Sequence, residues 1–329
     1  MTPAASLAEK LLAGERSAVP RLISWAENAD ERFPAALARI FGRVGGAWRT
    51  GVTGPPGVGK STLVNELARL FRERERTVGI LAVDPSSPFT GGALLGDRIR
   101  MEERTLDAGV FIRSMASRGS HGGLALAAVD ACDVMDAFGF DEVVVETVGV
   151  GQAEYDVVSA ADTVLVVLCP GAGDSIQAMK AGLLEVADVL VVNKSDVSGA
   201  DRLVTDLEEA VHIRTAGRTE WTTPVVACSA GTGKGVEGVV EAIETHRGFL
   251  AGDRKERLRA EKRILQVRRK VSERLSEAVW GSLGYLRTVE TLLRNGATPY
   301  DVAARVMTTI SAKLVDENPP STDPGAGRP

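Results

Sequence analysis

A chain of 329 residues, 44% hydrophobic and 25% charged, can bury a large core in one big domain or two, and its formal net charge of −5 argues against a nucleic-acid binder. The three cysteines (Cys132, Cys169, Cys228) lie far apart, without a CxxC pair and with only three histidines in the chain, which speaks against a disulfide framework or structural zinc and for a reducing compartment. No apolar run reaches the ~20 residues a membrane span needs, and no basic region precedes an apolar core at the N-terminus, so a cytoplasmic protein with no membrane partner is expected.

Residues 1–46 read as an N-terminal helical extension. Leu7, Leu11 and Leu12, then Val19, Leu22, Ile23 and Trp25, recur at helical spacing, and Gly45-Gly46 closes the segment. Residues 47–250 alternate helical stretches with short aliphatic runs at 49–53, 78–84, 110–113, 142–146, 163–169, 189–193 and 224–228. Such continuous hydrophobicity predicts strands covered on both faces: an α/β fold with a mostly parallel sheet and helices on each side. Residues 251–315 become basic and helix-rich. Leu258, Leu265, Val271, Leu275 and Val279 form one stripe, Gly281 and Gly284 interrupt it, and a second helical piece follows over 286–315. This arm is too thin for a core of its own and should pack on the main domain or on another subunit. Glu256 and Glu261 break its basic run, and no aromatics interleave it, so it reads as a solvated face rather than an RNA-binding surface. The tail, 316–329, is rich in Pro and Gly and is expected to be disordered.

The chemistry begins at Gly54-Pro55-Pro56-Gly57-Val58-Gly59-Lys60-Ser61, which matches G-x-x-x-x-G-K-[ST] and is followed by Thr62. A predicted strand precedes it and a predicted helix follows, the context in which this motif forms a P-loop. Backbone N–H groups curl around a β-phosphate, Lys60 neutralises β/γ charge, and the Ser61 hydroxyl can ligate Mg²⁺. Asn193-Lys194-Ser195-Asp196 ends a later strand. There an Asp carboxylate can accept from both N1–H and the 2-amino group of guanine, which adenine cannot supply. Ser229-Ala230-Gly231, one strand on, suits a loop whose amides approach the guanine O6. The expected nucleotide is GTP, because a buried acceptor left unpaired rejects the wrong base strongly.

The strand over 142–146 ends in Glu146, three residues before Gly149, where such proteins often carry Asp-x-x-Gly. Glu146 is expected to hold a metal-bound water or the attacking water, with Gly149 facing the γ-phosphate. Asp84 and Asp97 lie in a polar Gly/Pro/Ser stretch past another strand end. They read as Mg²⁺ partners or, alternatively, as a turn-forming Asp-Pro and a helix N-cap. Gln152 reads as a nucleotide sensor or a surface glutamine. A further glycine-rich loop, 170–180, leaves the same sheet edge, where open α/β sheets bind ligands.

Together, the P-loop, the stretch 84–101, Glu146-Thr147-Val148-Gly149-Val150-Gly151-Gln152, Gly173-Asp174 with Gln177 and Lys180, and Asn193–Asp196 resemble the MeaB/ArgK type of P-loop GTPase. The resemblance spans nearly the whole chain. It implies Mg²⁺-dependent GTP hydrolysis, with GTP or GDP bound, by a homodimer joined through the arm at 251–315. It also implies a chaperone role toward an adenosylcobalamin-dependent acyl-CoA mutase, methylmalonyl-CoA mutase or a relative, gating cofactor loading and release of damaged cofactor. A cobalamin adenosyltransferase is a further implied partner. Asp174, Lys180 and Arg100 are implied switch contacts that activate hydrolysis, and the loop with Gln177 is an implied third switch. Ser114-Met115-Ala116 departs from the family pattern in a way that bears on partner identity. The competing readings are a metallochaperone GTPase of the same wider family, which would need a Cys/His motif, and an ArgK-like kinase, which Asn193–Asp196 opposes.

Overall fold

The aliphatic runs become seven strands: β1 (Trp48–Thr53), β2 (Val78–Asp84), β3 (Val110–Ala116), β4 (Glu142–Thr147), β5 (Thr163–Leu168), β6 (Val189–Val192) and β7 (Val225–Ala227). The computed structural model describes residues 2–84, 107–116, 121–147, 160–171, 183–215, 221–282 and 285–317. All paired strands run parallel, in the order β3-β2-β4-β1-β5-β6-β7. Every residue of β1, β4, β5 and β6 is buried, as strands covered on both faces must be. β3 runs three residues beyond the expected end because Ser114, Met115 and Ala116 stay in register with β2 up to Asp84.

Three N-terminal helices, α1 (Pro3–Leu12), α2 (Ala18–Glu27) and α3 (Phe33–Ile40), precede the sheet; α4 (Lys60–Glu73), α5 (His121–Phe138), α6 (Leu183–Val186) and α7 (Ala200–Thr215) lie between strands, and α8 (Val236–Phe249) follows β7. Alternate side chains of β4 serve opposite faces. Val144 joins Leu63, Leu67 and Phe71 of α4 and Ile243 of α8, while Val143 and Val145 join Met135 of α5. Leu11, Leu22 and Ile23 belong to the same core as Met135. The N-terminal extension is therefore a second helical layer over α5. That explains why α5 carries buried aliphatics from Leu126 to Ala137: a helix covered on most sides has no broad polar face.

Helix α9 (Asp253–Ser276) contains the boundary between two compact units, Met1–Gln266 and Val267–Pro329. In the first unit, Arg259 holds Asp162 and Arg263 holds Asp133, and Lys262 donates to the Ala161 carbonyl. Asp133 and Asp136 of α5 also receive Arg49, and the Asp162 carboxylate accepts the Arg49 backbone N–H. These groups gather at the amino ends of β1 and β5.

The second unit contains a π-helical turn (Glu277–Ser282), α10 (Tyr285–Arg294) and α11 (Pro299–Glu317). Its small core is Val279, Val302 and Val306, flanked by Tyr285, Val289 and Leu292. The single helix expected over 286–315 is in fact two. Gly296 adopts φ 85°, and α11 restarts with Thr298 as its N-cap and Pro299 as its first residue. Asp301 accepts from both the backbone N–H and the hydroxyl of Thr298, whose oxygen accepts the Asp301 N–H, a reciprocal cap. Among the described residues, no helix is long and apolar enough to cross a membrane.

Candidate functional site

Gly54 follows β1, Glu146 is the penultimate residue of β4, Asn193 follows β6 and Ser229 lies just past β7, so the expected motifs converge on the carboxyl edge of one sheet. β1 is central there, paired with β4 on one side and β5 on the other.

The loop from Gly54 to Gly59 is shaped by close approaches. A Cβ on Gly54 would stand 2.1 Å from the Val167 carbonyl oxygen, so only glycine can leave β1 beside β5 here. Gly59, at φ 93°, is the N-cap of α4, and a Cβ on it would lie 2.5 Å from Asn193 Nδ2. Pro56 and Gly57 are exposed, whereas Gly54, Pro55 and Val58 are buried. Lys60 begins α4 and is buried, with Nζ donating to the carbonyls of Gly54 (2.7 Å) and Pro55 (2.9 Å). Its ammonium is thus held inside the loop. Thr62, in the same first turn, is exposed. The N–H groups at the amino end of α4 and the helix dipole make the position attractive to an anion.

Ser61 Oγ donates to Glu146 Oε1 at 2.5 Å. The hydroxyl that sequence analysis assigns to a metal and the acid at the end of β4 therefore meet, although 85 residues separate them. Glu146 is buried and shares register with Val52 of β1. The longer side chain of glutamate reaches α4 from that strand. Two adjacent hard oxygen donors beside a phosphate-type loop fit Mg²⁺.

The base loop is tied to the phosphate loop. Asn193 is buried; its Nδ2 donates to the Val58 carbonyl at 2.8 Å and its Oδ1 accepts the Ala230 N–H at 2.9 Å. One amide thus spans three loops. Lys194, at a left-handed φ of 57°, donates from Nζ to the Gly57 carbonyl at 2.7 Å. Asp196 is exposed, and the Ser229 hydroxyl donates to its Oδ1 at 2.6 Å. That bond, aided by the backbone N–H of Asp196 itself, holds the carboxyl below its ordinary value, so it stays an ionised acceptor. Ser229 and Ala230 are buried and Gly231 is exposed beside them.

Of the other positions singled out, Asp84 ends β2 but its side chain is outside the described residues, as are Asp97, Arg100, Gly149, Gln152, Asp174, Gln177 and Lys180 entirely. Sequence analysis did not single out the buried pair Thr53 and Thr147, whose hydroxyls meet at 3.2 Å. The available signal was their place: each is the last residue of its strand, next to a residue that was singled out.

Residues 19–283 match the family described as methylmalonyl-CoA mutase-associated GTPase MeaB. A GTPase of Pyrococcus horikoshii is 44% identical over 317 residues, covering 94% of this chain and 99% of its own length. GTPase ArgK of Escherichia coli is 35% identical over 280 residues, covering 82% and 85%. Among solved structures, a LAO/AO transport system kinase superposes with a TM-score of 0.73 at 26% identity, covering 94% of this chain and 99% of that one. With the P-loop and base loop assembled on one sheet edge, these likenesses agree: the chain is a P-loop GTPase and belongs to the MeaB family.

Proposed function

We propose that this Mg²⁺-dependent GTPase is a chaperone of an adenosylcobalamin-dependent acyl-CoA mutase, methylmalonyl-CoA mutase or a relative, gating cofactor loading and the release of damaged cofactor. The observation that carries the reading is the match of residues 19–283 to the mutase-associated family. Gly54 to Thr62 cradle the phosphates, with Lys60 neutralising β/γ charge. Asn193, Lys194, Asp196, Ser229, Ala230 and Gly231 receive guanine. Ser61, Glu146, Asp84 and Asp97 are the Mg²⁺ set, and the ion, when bound, withdraws charge from the phosphate oxygens. Glu146 orients the attacking water, and Gly149 faces the γ-phosphate. Arg100, Asp174 and Lys180 are the switch contacts that activate hydrolysis, Gln177 belongs with Asp174 and Lys180 to the third switch, and Gln152 senses the nucleotide.

In this reading, residues 47–250 form the GTPase domain, 1–46 its helical extension and 251–315 a homodimerisation arm in a cytoplasmic protein, with 316–329 as a disordered tail. The exposed Val267, Val271 and Leu275 of α9 support the arm assignment, because exposed apolar side chains along one helix favour cover by another chain. A cobalamin adenosyltransferase is a second proposed partner.

The test is GTP turnover with and without candidate mutases of the same organism, with complex formation followed by light scattering. Turnover should rise on complex formation, and Lys180→Ala should keep GTP binding while losing most of that rise. An unchanged rate without a complex removes the chaperone role. Preference for ATP in nucleotide competition removes the base-site assignment.

A further inference from the structure

Glu146 and Thr147 are consecutive, and their side chains bracket the phosphate loop. Glu146 takes the Ser61 hydroxyl at the loop's exit, while Thr147 Oγ1 donates to Thr53 Oγ1 at its entrance, 3.2 Å away. Alternation along a strand sends adjacent side chains to opposite faces, so the two contacts grip the loop from the two sides of the sheet. Thr53 and Thr147 are each 0% exposed. Their hydroxyls close strands whose preceding residues are Val52 in β1 and Val145-Glu146 in β4, and valine would fill the same space. A buried hydroxyl is costly without a partner, and here each supplies one to the other. Threonine is also stiff at χ1, so the bond constrains the strand ends themselves. On the far side of the same entrance, Gly54 already abuts the Val167 carbonyl. The start of the loop is therefore fixed laterally by β5 and by β4.

We infer that Thr147 is a positioning residue for GTP hydrolysis: its hydroxyl, bonded to Thr53, locks the end of β4 against the loop entrance and so holds the Glu146 carboxylate opposite Ser61. This rests on the proposed role of Glu146 and Ser61 in the metal site. Loss of the bond should loosen the placement of Glu146 while leaving the base loop, tied through Asn193, as it is. A displacement of ~1 Å at a reacting centre can cost up to about a hundredfold in rate, so a partial loosening should cost about tenfold.

The experiment compares Thr147→Val, Thr147→Ser, Thr53→Val and Thr53→Val/Thr147→Val in the full chain, reading kcat, the Mg²⁺ concentration at half-maximal turnover, and binding of fluorescent GDP without Mg²⁺. Thr147→Val should lower kcat about tenfold and raise the half-maximal Mg²⁺ several-fold, with GDP binding changed by less than about twofold. Thr147→Ser, which keeps the hydroxyl, should restore both readouts, and the double variant should be no worse than either valine single, as for two halves of one interaction. Unchanged kcat and Mg²⁺ response in both valine variants, or multiplied losses in the double variant, overturn the inference. So does failure of serine to rescue. If Thr147→Val does not fold, Thr53→Val and its Mg²⁺ response decide the question. Glu146→Gln separates the two levels: if it too leaves kcat and Mg²⁺ dependence unchanged, the metal-site reading fails, whereas a damaged Glu146→Gln beside a normal Thr147→Val refutes only the positioning role.

Discussion

Arg49 and Asp133 form an ion pair at 2.8 Å between the start of β1 and the middle of α5, with both side chains buried. Burial opposes the Arg49 charge, and the carboxylates of Asp133 and Asp136 overcome that, raising its pKa above the ordinary arginine value. Asp133 also receives both terminal nitrogens of Arg263 from α9. Asp133→Ala leaves the buried Arg49 with Asp136 as its remaining carboxylate and removes both carboxylate contacts of Arg263, so it should cost about 3 kcal/mol of stability. Urea denaturation of the full chain measures this, and a loss below ~1 kcal/mol would mean that the pair is dispensable.

At the base site, Asp196→Asn should shift preference from GTP toward xanthosine triphosphate, because an amide presents a donor where guanine needs an acceptor. Competition against a fluorescent guanine nucleotide gives the ratio directly. An unchanged GTP affinity would remove Asp196 from the base site.

Gly59→Ala tests the join between the two loops. The added methyl would meet Asn193 Nδ2 at 2.5 Å and would force a side chain onto φ 93°. Guanine-nucleotide affinity should fall more than about tenfold, with a stability cost of ~1–3 kcal/mol from backbone strain. Gly57, at φ 75°, has nothing within 4 Å of such a methyl, so Gly57→Ala should show the strain without the loss of the Asn193 contact. Equal nucleotide affinities in the two variants would argue against the Asn193 link.

His246 is buried, bonded to Thr163 through Nδ1 at 2.9 Å and facing Asp188 at 3.5 Å. Burial, then the positive charge of Lys262, moves its pKa from 6.5 down to about 4. The unfolded chain thus takes up a proton that the folded chain refuses, and this contribution to stability is lost as pH falls from about 6.5 toward 4. Asp188 is displaced oppositely, raised by burial from 3.8 to about 6, so its contribution weakens as pH rises through that range. His246→Asn abolishes the first effect and keeps the second. The gap in Tm between wild type and variant should therefore narrow on acidification from pH 6.5 to 4.5; parallel curves would contradict this.

The seven strands, the parallel sheet and both nucleotide loops were legible in the residues themselves. Continuous aliphatic runs can satisfy their surroundings only when covered on both faces, and Gly54–Ser61 and Asn193–Asp196 carry their chemistry within eight and four consecutive residues. The break in the C-terminal helices at Gly296 was missed, although a glycine and a Thr-Pro start mark it, because the apolar spacing continues across it. What no local pattern could decide was which distant groups meet. That Glu146 reaches Ser61, that one Asn193 amide joins three loops and that Arg49 lies among Asp133, Asp136 and Asp162 follow from strand order and register. A motif needs only its own neighbours in sequence, whereas a contact across many residues exists only once the sheet has placed β4 and β5 on either side of β1.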